Sequence, residues 1–166
     1  MPRLLYLMRH AQSAEKQNNQ TDFERELTAS GMRQSVLIGN FIAQKNFPVE
    51  ILYCSPAVRA KATANFVGEA CKLDPDRIHA IDELYDASTR TLFNFIAQLG
   101  DELQHVMLVG HNPAVTYLAE HLTKEEISEI VPAGMVIIKF RFESWKELSE
   151  GSGELLSHIG SDMLTP

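Results

Sequence analysis

The chain has 166 residues, 45% of them hydrophobic and 22% charged, values of one globular domain spanning 1–166 and not of a disordered tract, a collagen-like rod or a coiled coil. A chain of this length buries a core without disulfides or a structural metal. Fifteen Lys and Arg against 22 Asp and Glu give a formal net charge of −7, which argues against binding to nucleic acid or an anionic membrane and leaves phosphate binding to a local cluster of positive groups.

Leu4 to Met8 is a short continuous apolar run, the pattern of a strand buried on both faces. The polar segment Ala11 to Glu26 has no period and reads as a long loop, a length that is uncommon unless the loop has a function. Thr28 reads as a helix N-cap, with Met32, Val36, Leu37, Phe41 and Ile42 following at helical spacing before Pro48. Ile51 to Cys54 is a second strand. Ser55-Pro56 is expected to open a helix, Ser as cap and Pro in the first turn, carrying Ala62, Phe66, Val67 and Ala70. Asp74-Pro75-Asp76 is a turn, and Ile78 to Leu84 contains another short strand. Ser88 caps a helix bearing Leu92, Phe93, Phe95, Ile96 and Leu99. Val106 to Val109 is a third buried run, ended by Gly110-His111-Asn112-Pro113 and followed by a helix with Val115, Leu118, Ala119 and Leu122. Met135 to Phe142 and Leu155 to Ile159 alternate as strands, with Gly151-Ser152-Gly153 as a turn between them. The expected fold is α/β: three layers, a mainly parallel sheet with helices on both faces, and an antiparallel C-terminal strand pair.

No apolar run reaches membrane length. The N-terminal run is broken by Arg9 and His10 before it makes a secretory core. Cys54 and Cys71 lack a CxxC neighbour and read as reduced thiols, so a cytoplasmic location is expected.

Three of the apolar runs end in chemically active residues. The first ends in Arg9-His10. The second ends in Ser55-Pro56, with Arg59 one turn into the next helix. The third ends in Gly110-His111. Ligands of open α/β sheets bind beyond the carboxyl ends of the strands. If these three strands are parallel neighbours, Arg9, His10, Arg59 and His111 converge there and build the positive cluster that the overall charge does not supply. Guanidinium groups fork onto phosphate oxygens, and the helices after Ser55 and Asn112 add free N–H groups. An imidazole among them can also attack phosphorus. Taken singly, each of these residues is as readily a structural histidine or a solvated arginine; the joint pattern carries the reading. His79, His105, His121 and His158 lack such context and read as surface or structural. No HxH, HExxH or CxxC spacing points to a metal. Of the acids after the Ile78 segment (Asp82, Glu83, Asp86), Glu83 is the first choice for a general acid.

Leu7-Met8-Arg9-His10-Ala11-Gln12-Ser13 resembles the Arg-His-Gly/Ala motif of the histidine phosphatase, or phosphoglycerate mutase-like, superfamily. Arg25-Glu26-Leu27-Thr28-Ala29-Ser30-Gly31 resembles its Leu-Thr-x-x-Gly segment, Ser55 to Ala64 its Ser-Pro-x-x-Arg-x-x-x-Thr-Ala segment, and Val109 to Pro113 its second-histidine motif. The matches run in order from Leu4 to about Leu122. The size and the Arg-His-Ala and Gly-His-Asn-Pro forms look most like the small SixA-type phosphohistidine phosphatases.

The resemblance implies that His10 is the nucleophile, that Arg9, Arg59 and His111 bind the phosphoryl group, and that water then hydrolyses a phosphohistidine intermediate without cofactor or metal. It places Ser13 and Arg25 as further phosphate-binding candidates, Arg25 being equally readable as an ion-pair brace of the loop. Lys16 stands where many members carry an Asn. The expected substrate is a phosphohistidine-bearing protein; a small phosphomonoester is the second reading, and a phosphate-binding module without turnover the third. The sequence does not reveal an oligomeric state.

Overall fold

Strand β1 (Arg3–Arg9) lies inside a six-stranded sheet of order β3-β2-β4-β1-β5-β6, with β2 (Ile51–Cys54), β3 (Ile78–Ala80), β4 (His105–Gly110), β5 (Met135–Phe140) and β6 (Gly153–Ile159). The computed structural model describes residues 1–165. β3, β2, β4 and β1 run parallel, while β5 is antiparallel to both β1 and β6. The mainly parallel sheet with an antiparallel C-terminal pair is thus present, and the pair joins the parallel part through β1.

Helices α1 (Ala29–Gln44) and α2 (Val58–Ala70) cover one face of the sheet, and α3 (Thr89–Ala97) and α4 (Ala114–Thr123) cover the other. Successive strand residues point to opposite faces. Tyr6, Met8, Leu52, Met107 and Val109 therefore meet Ile38 and Ile42 of α1 and Ala60, Ala64 and Val67 of α2. Leu5, Leu7, Val106 and Leu108 meet Leu92, Ile96, Val115, Leu118 and Leu122 on the other side. Burial on both faces is why these strands read as unbroken apolar runs.

Thr28 and Ser88 cap their helices as expected, accepting hydrogen bonds from the amides of Gly31 and Thr91. Two expectations are corrected. The inward face of α1 is Gly31, Ser35, Ile38, Gly39 and Ile42, and Met32 and Val36 are exposed. The cause is the close approach of α1 to α2: a Cβ on Gly39 would run into Val67 and Ala70. Small residues make that contact, so an apolar count that ignores glycine rotates the face. The second correction concerns Ser55. Helix α2 begins at Val58 with Ala57 as its N-cap, and Ser55 is neither a cap nor followed by Pro in a first turn. Ser55 is fully buried at the end of β2 and serves the site described next.

The sheet order puts the ends of β1, β4 and β2 side by side. The ladder continues one residue past the strands: the His10 amide donates to the Gly110 carbonyl at 3.0 Å and the Ser55 amide to the Val109 carbonyl at 3.1 Å. Among the described residues no helix is long and apolar enough to cross a membrane.

Candidate active site

At this rim lies a cleft of about 500 Å³, within the range of small-ligand sites. Arg9, His10, Arg59 and His111 all line it, together with Arg25 and Ser13. The structure adds Gln12, Asp22, Tyr85, Asp86 and Asn112, which the sequence reading did not single out as a group.

His10 and His111 face each other edge to face, with ring centres 5.3 Å apart. Nδ1 of His10 lies 2.8 Å from the Ala11 carbonyl. A carbonyl only accepts, so Nδ1 carries the proton and Nε2 keeps its lone pair. Burial lowers the His10 pKa to about 4, aided by His111, Arg59 and Arg9 and opposed by the bond to Ala11. His111 is likewise lowered to about 4, by burial first and then by the Arg59 charge, with Asp22 and Asp86 opposing. Both rings are neutral at pH 7.

Nε2 of His111 lies 2.8 Å from Ser55 Oγ. That buried oxygen accepts the Ala57 amide at 3.2 Å, and among the described residues the ring is the acceptor in reach of its own proton. Ser55 then donates to Nε2, and Nδ1 of His111 holds the proton, ready to donate to an oxyanion.

Two guanidinium groups complete the cluster. Arg9 donates from Nη1 to Glu129 and to the Ile130 carbonyl, both at 3.1 Å. Arg59 donates from Nη1 to the Asp22 carbonyl at 2.7 Å and from Nη2 to Asp22 Oδ2 at 3.0 Å. The Nε atoms of Arg9 and Arg59 are buried and have no partner in the protein. Buried donors without acceptors are uncommon; here both belong to side chains that line the cleft. Arg25 braces the loop as well as lining the cleft, bonding the Ala14 carbonyl, Ser13 Oγ and Asp22 Oδ1 at 3.0, 2.8 and 3.2 Å. The ion-pair brace expected of Arg25 is present, on a side chain that also lines the cleft.

The short motifs have local causes. Thr63, fully buried in α2, accepts the Ala11 amide at 3.0 Å and donates to the Arg59 carbonyl at 2.8 Å, tying the loop after His10 to the helix that carries Arg59. Gly31 has the Gln12 carbonyl against its Cα, where a Cβ would collide with it. The same carbonyl accepts the Thr28 amide at 3.1 Å. Thr28 and Gly31 thus anchor the first residues beyond His10.

The first choice of acid is corrected. Glu83 is exposed and does not line the cleft. It sits in a 3-10 turn, Asp82–Leu84, whose buried residue is Leu84, and this turns Glu83 outward. Asp86, three residues on, lines the cleft with left-handed backbone (φ 52°). Lys16 is exposed and outside the cleft. Asp22 was missed because it lies in a segment without periodicity; its one signal was the Asp-x-x-Arg spacing to Arg25. His105 and His121 pair with Glu50 and Glu150 away from the cleft.

Fold and cleft together define an α/β protein with arginines and two neutral imidazoles gathered at the carboxyl ends of its parallel strands. The chain belongs to the histidine phosphatase superfamily: the branch 1 model of that family matches residues 5–86, and within the superfamily it is of the SixA type. It is 28% identical over 124 residues to the phosphohistidine phosphatase SixA of Escherichia coli, covering 74% of this chain and 75% of that one. The structure of a SixA-type protein from Agrobacterium tumefaciens superimposes with a TM-score of 0.82 at 26% identity, covering 96% of this chain and 99% of that one. The fold is also that of a protein histidine phosphatase SixA complexed with tungstate (TM-score 0.83, 22% identity, 98% and 99% coverage).

Proposed function

We propose that this protein is a phosphatase for protein phosphohistidine that works through a covalent phosphohistidine on His10. The observation that carries the reading is the His10 ring itself: neutral, with Nδ1–H donated to Ala11 and Nε2 free, among buried Arg59, half-buried Arg9 and a second histidine. Catalysis of phosphoryl transfer is mostly positioning and charge stabilisation, and these groups supply both. The Nε2 lone pair forms a bond to phosphorus as the bond from phosphorus to the leaving group breaks. The electron pair goes to the leaving nitrogen, which takes a proton from water. Arg9, Arg59 and Nδ1–H of His111 hold the three peripheral oxygens. Water then attacks phosphorus, the Nε2–P bond breaks, and phosphate and neutral His10 are regenerated. The mechanism draws on no metal or cofactor.

The state of Asp22 supports this substrate class. Asp22 is held down to about 2, first by its bond from Tyr85, then by Arg59 and Arg25, and gives up no proton near neutral pH. An imidazole leaving group needs little acid assistance, because its own pKa lies near neutrality. Similarity to the E. coli SixA and the tungstate held by a SixA-type structure support the same reading. A cytoplasmic phosphotransfer domain is the kind of partner it would act on. A small phosphomonoester is the second reading, favoured by one observation: a second carboxyl side chain, Asp86, lines the cleft.

The test is phosphate release from a phosphohistidine-bearing domain, a phosphoserine peptide and a small phosphomonoester, without added metal, by the native protein and by His10→Ala. Release from phosphohistidine alone, lost by roughly 10⁴-fold or more in the variant, supports the proposal. Release mainly from the ester moves the assignment to small-molecule phosphatases. Equal release by both proteins overturns the covalent mechanism.

A further inference from the structure

Asp22 stands where three parts of the site meet. Its carbonyl and Oδ2 receive Nη1 and Nη2 of Arg59. Its Oδ1 receives Arg25 at 3.2 Å, and its Oδ2 also receives the Tyr85 hydroxyl at 2.8 Å. These partners come from α2, from the loop after β1 and from the turn after β3. The Asp22 side chain is 52% exposed, whereas that of Arg59 is 6% exposed. The carboxylate therefore grips a buried guanidinium from its outer end and leaves Arg59 Nε without a protein partner.

We propose that Asp22 is a positioning residue: it fixes the Arg59 guanidinium, and with it Arg25 and Tyr85, so that the remaining donors of Arg59 are set for the phosphoryl oxygens. This rests on the phosphoryl-transfer reading of the cleft. An arginine in a pocket of cations has no intrinsic reason to hold one rotamer. Two hydrogen bonds in the plane of the fork supply that reason. Hydrogen bonds from Tyr85, Arg59 and Arg25 also keep the carboxyl ionised throughout the working range.

The proposal has a sign that separates it from a plain charge effect. Through space, a carboxylate beside an anion site repels the ligand, and its removal should tighten anion binding. Through geometry, its removal takes one of two bonds from Arg59 and one of three from Arg25, loosens both side chains, and should weaken binding and slow transfer. A misplacement of about 1 Å near reacting groups can cost on the order of 10²-fold.

The experiment measures tungstate affinity by calorimetry, and kcat and KM on a phosphohistidine-bearing domain, for the native protein, Asp22→Ala, Asp22→Glu and Tyr85→Phe. Asp22→Ala is expected to bind tungstate roughly tenfold or more weakly and to lose about 10²-fold in kcat, with its melting temperature little changed because the residue is half-exposed. Asp22→Glu restores part of both losses. Tyr85→Phe, which removes one bond to the carboxylate, shifts both in the same direction by less. Unchanged or tighter tungstate binding in Asp22→Ala overturns the proposal, as does a loss in Asp22→Ala that Asp22→Glu fails to restore at all. If the native protein binds tungstate but hydrolyses no phosphorylated substrate, the phosphatase reading fails, and the affinity comparison still decides the role of Asp22.

Discussion

The imidazoles of His10 and His111 stand 5.3 Å apart at an interplanar angle of 62° because β1 and β4 are parallel neighbours in a register that pairs Arg9 with Gly110. Each ring follows the last residue of its strand, so the sheet itself sets their separation. Both are also depressed to about 4, chiefly by burial. Their folded pKa lies below the unfolded value near 6.5, so the unfolded chain binds more protons between those values. The stabilising contribution of the neutral rings is fully present above pH 6.5 and is lost as pH falls toward 4. Urea midpoints should therefore fall between pH 7 and pH 4.5, with a shallower fall in His111→Gln. The acid limb of kcat/KM, corrected for ionisation of the substrate, should have its midpoint near 4. A midpoint near 6.5 would show that His10 is not protected by burial.

Ser55 should matter more to rate than a small buried hydroxyl ordinarily does. Its bond to Nε2 of His111 sets which nitrogen of that ring carries the proton. Ser55→Ala removes the donor and leaves the ring free to place its proton on Nε2, away from the oxyanion. The expected cost is about tenfold in kcat, the size of one buried hydrogen bond of about 1.4 kcal/mol. Nitrogen-15 spectra of the histidine rings would show the tautomer change directly. A wild-type tautomer with wild-type kcat would remove Ser55 from the site.

Gly31→Ala separates propensity from packing. Alanine favours a helix over glycine by about 1 kcal/mol, but here a Cβ lands on the Gln12 carbonyl, two residues beyond His10. The variant should be destabilised by about 1–3 kcal/mol through overpacking, and should lose activity because the displaced loop carries Gln12 and Ser13 of the cleft. Gly39→Ala is the control. Its Cβ meets Val67 and Ala70 of α2, so it should lower the melting temperature while leaving kcat/KM near that of the native protein. Thermal melts and initial rates on both variants make the comparison.

The parts legible in the sequence were those in which local chemistry and sheet geometry agree. Leu4 to Met8, Ile51 to Cys54 and Val106 to Val109 are buried on both faces, so their apolar runs mark strands, and the residues after them fall at one rim. Thr28 and Ser88 are caps because each hydroxyl oxygen accepts an amide three residues on, a contact local in sequence. The illegible parts depend on partners distant in sequence. Ser55 looks like a cap until β4 brings His111 beside it. Gly39 looks like a weak helix residue until α2 packs on it. Asp22 has no periodicity around it, and its meaning lies in Arg59 and Tyr85, which only the folded chain brings near.

Glu83 and Asp86 show how a single turn decides a role. Both lie in one acidic stretch, and spacing alone does not choose between them. The 3-10 turn Asp82–Leu84 buries Leu84 and so exposes Glu83, while the left-handed backbone at Asp86 brings that residue to the cleft wall. Glu83→Gln should therefore keep kcat/KM within about twofold of the native value on every substrate, since exposed substitutions away from a site have small effects. Asp86→Asn should discriminate between leaving groups. A phosphohistidine substrate releases an imidazole that needs little help, and its rate should change by less than about tenfold. An ester releases an alkoxide that does need a proton, and a donor there is worth roughly 10²–10⁴-fold. Rates of both variants on a phosphohistidine domain and on an aliphatic phosphomonoester make the test. A large loss in Glu83→Gln, with Asp86→Asn near wild type, would return the acid to Glu83 and require that its turn rearranges when substrate binds.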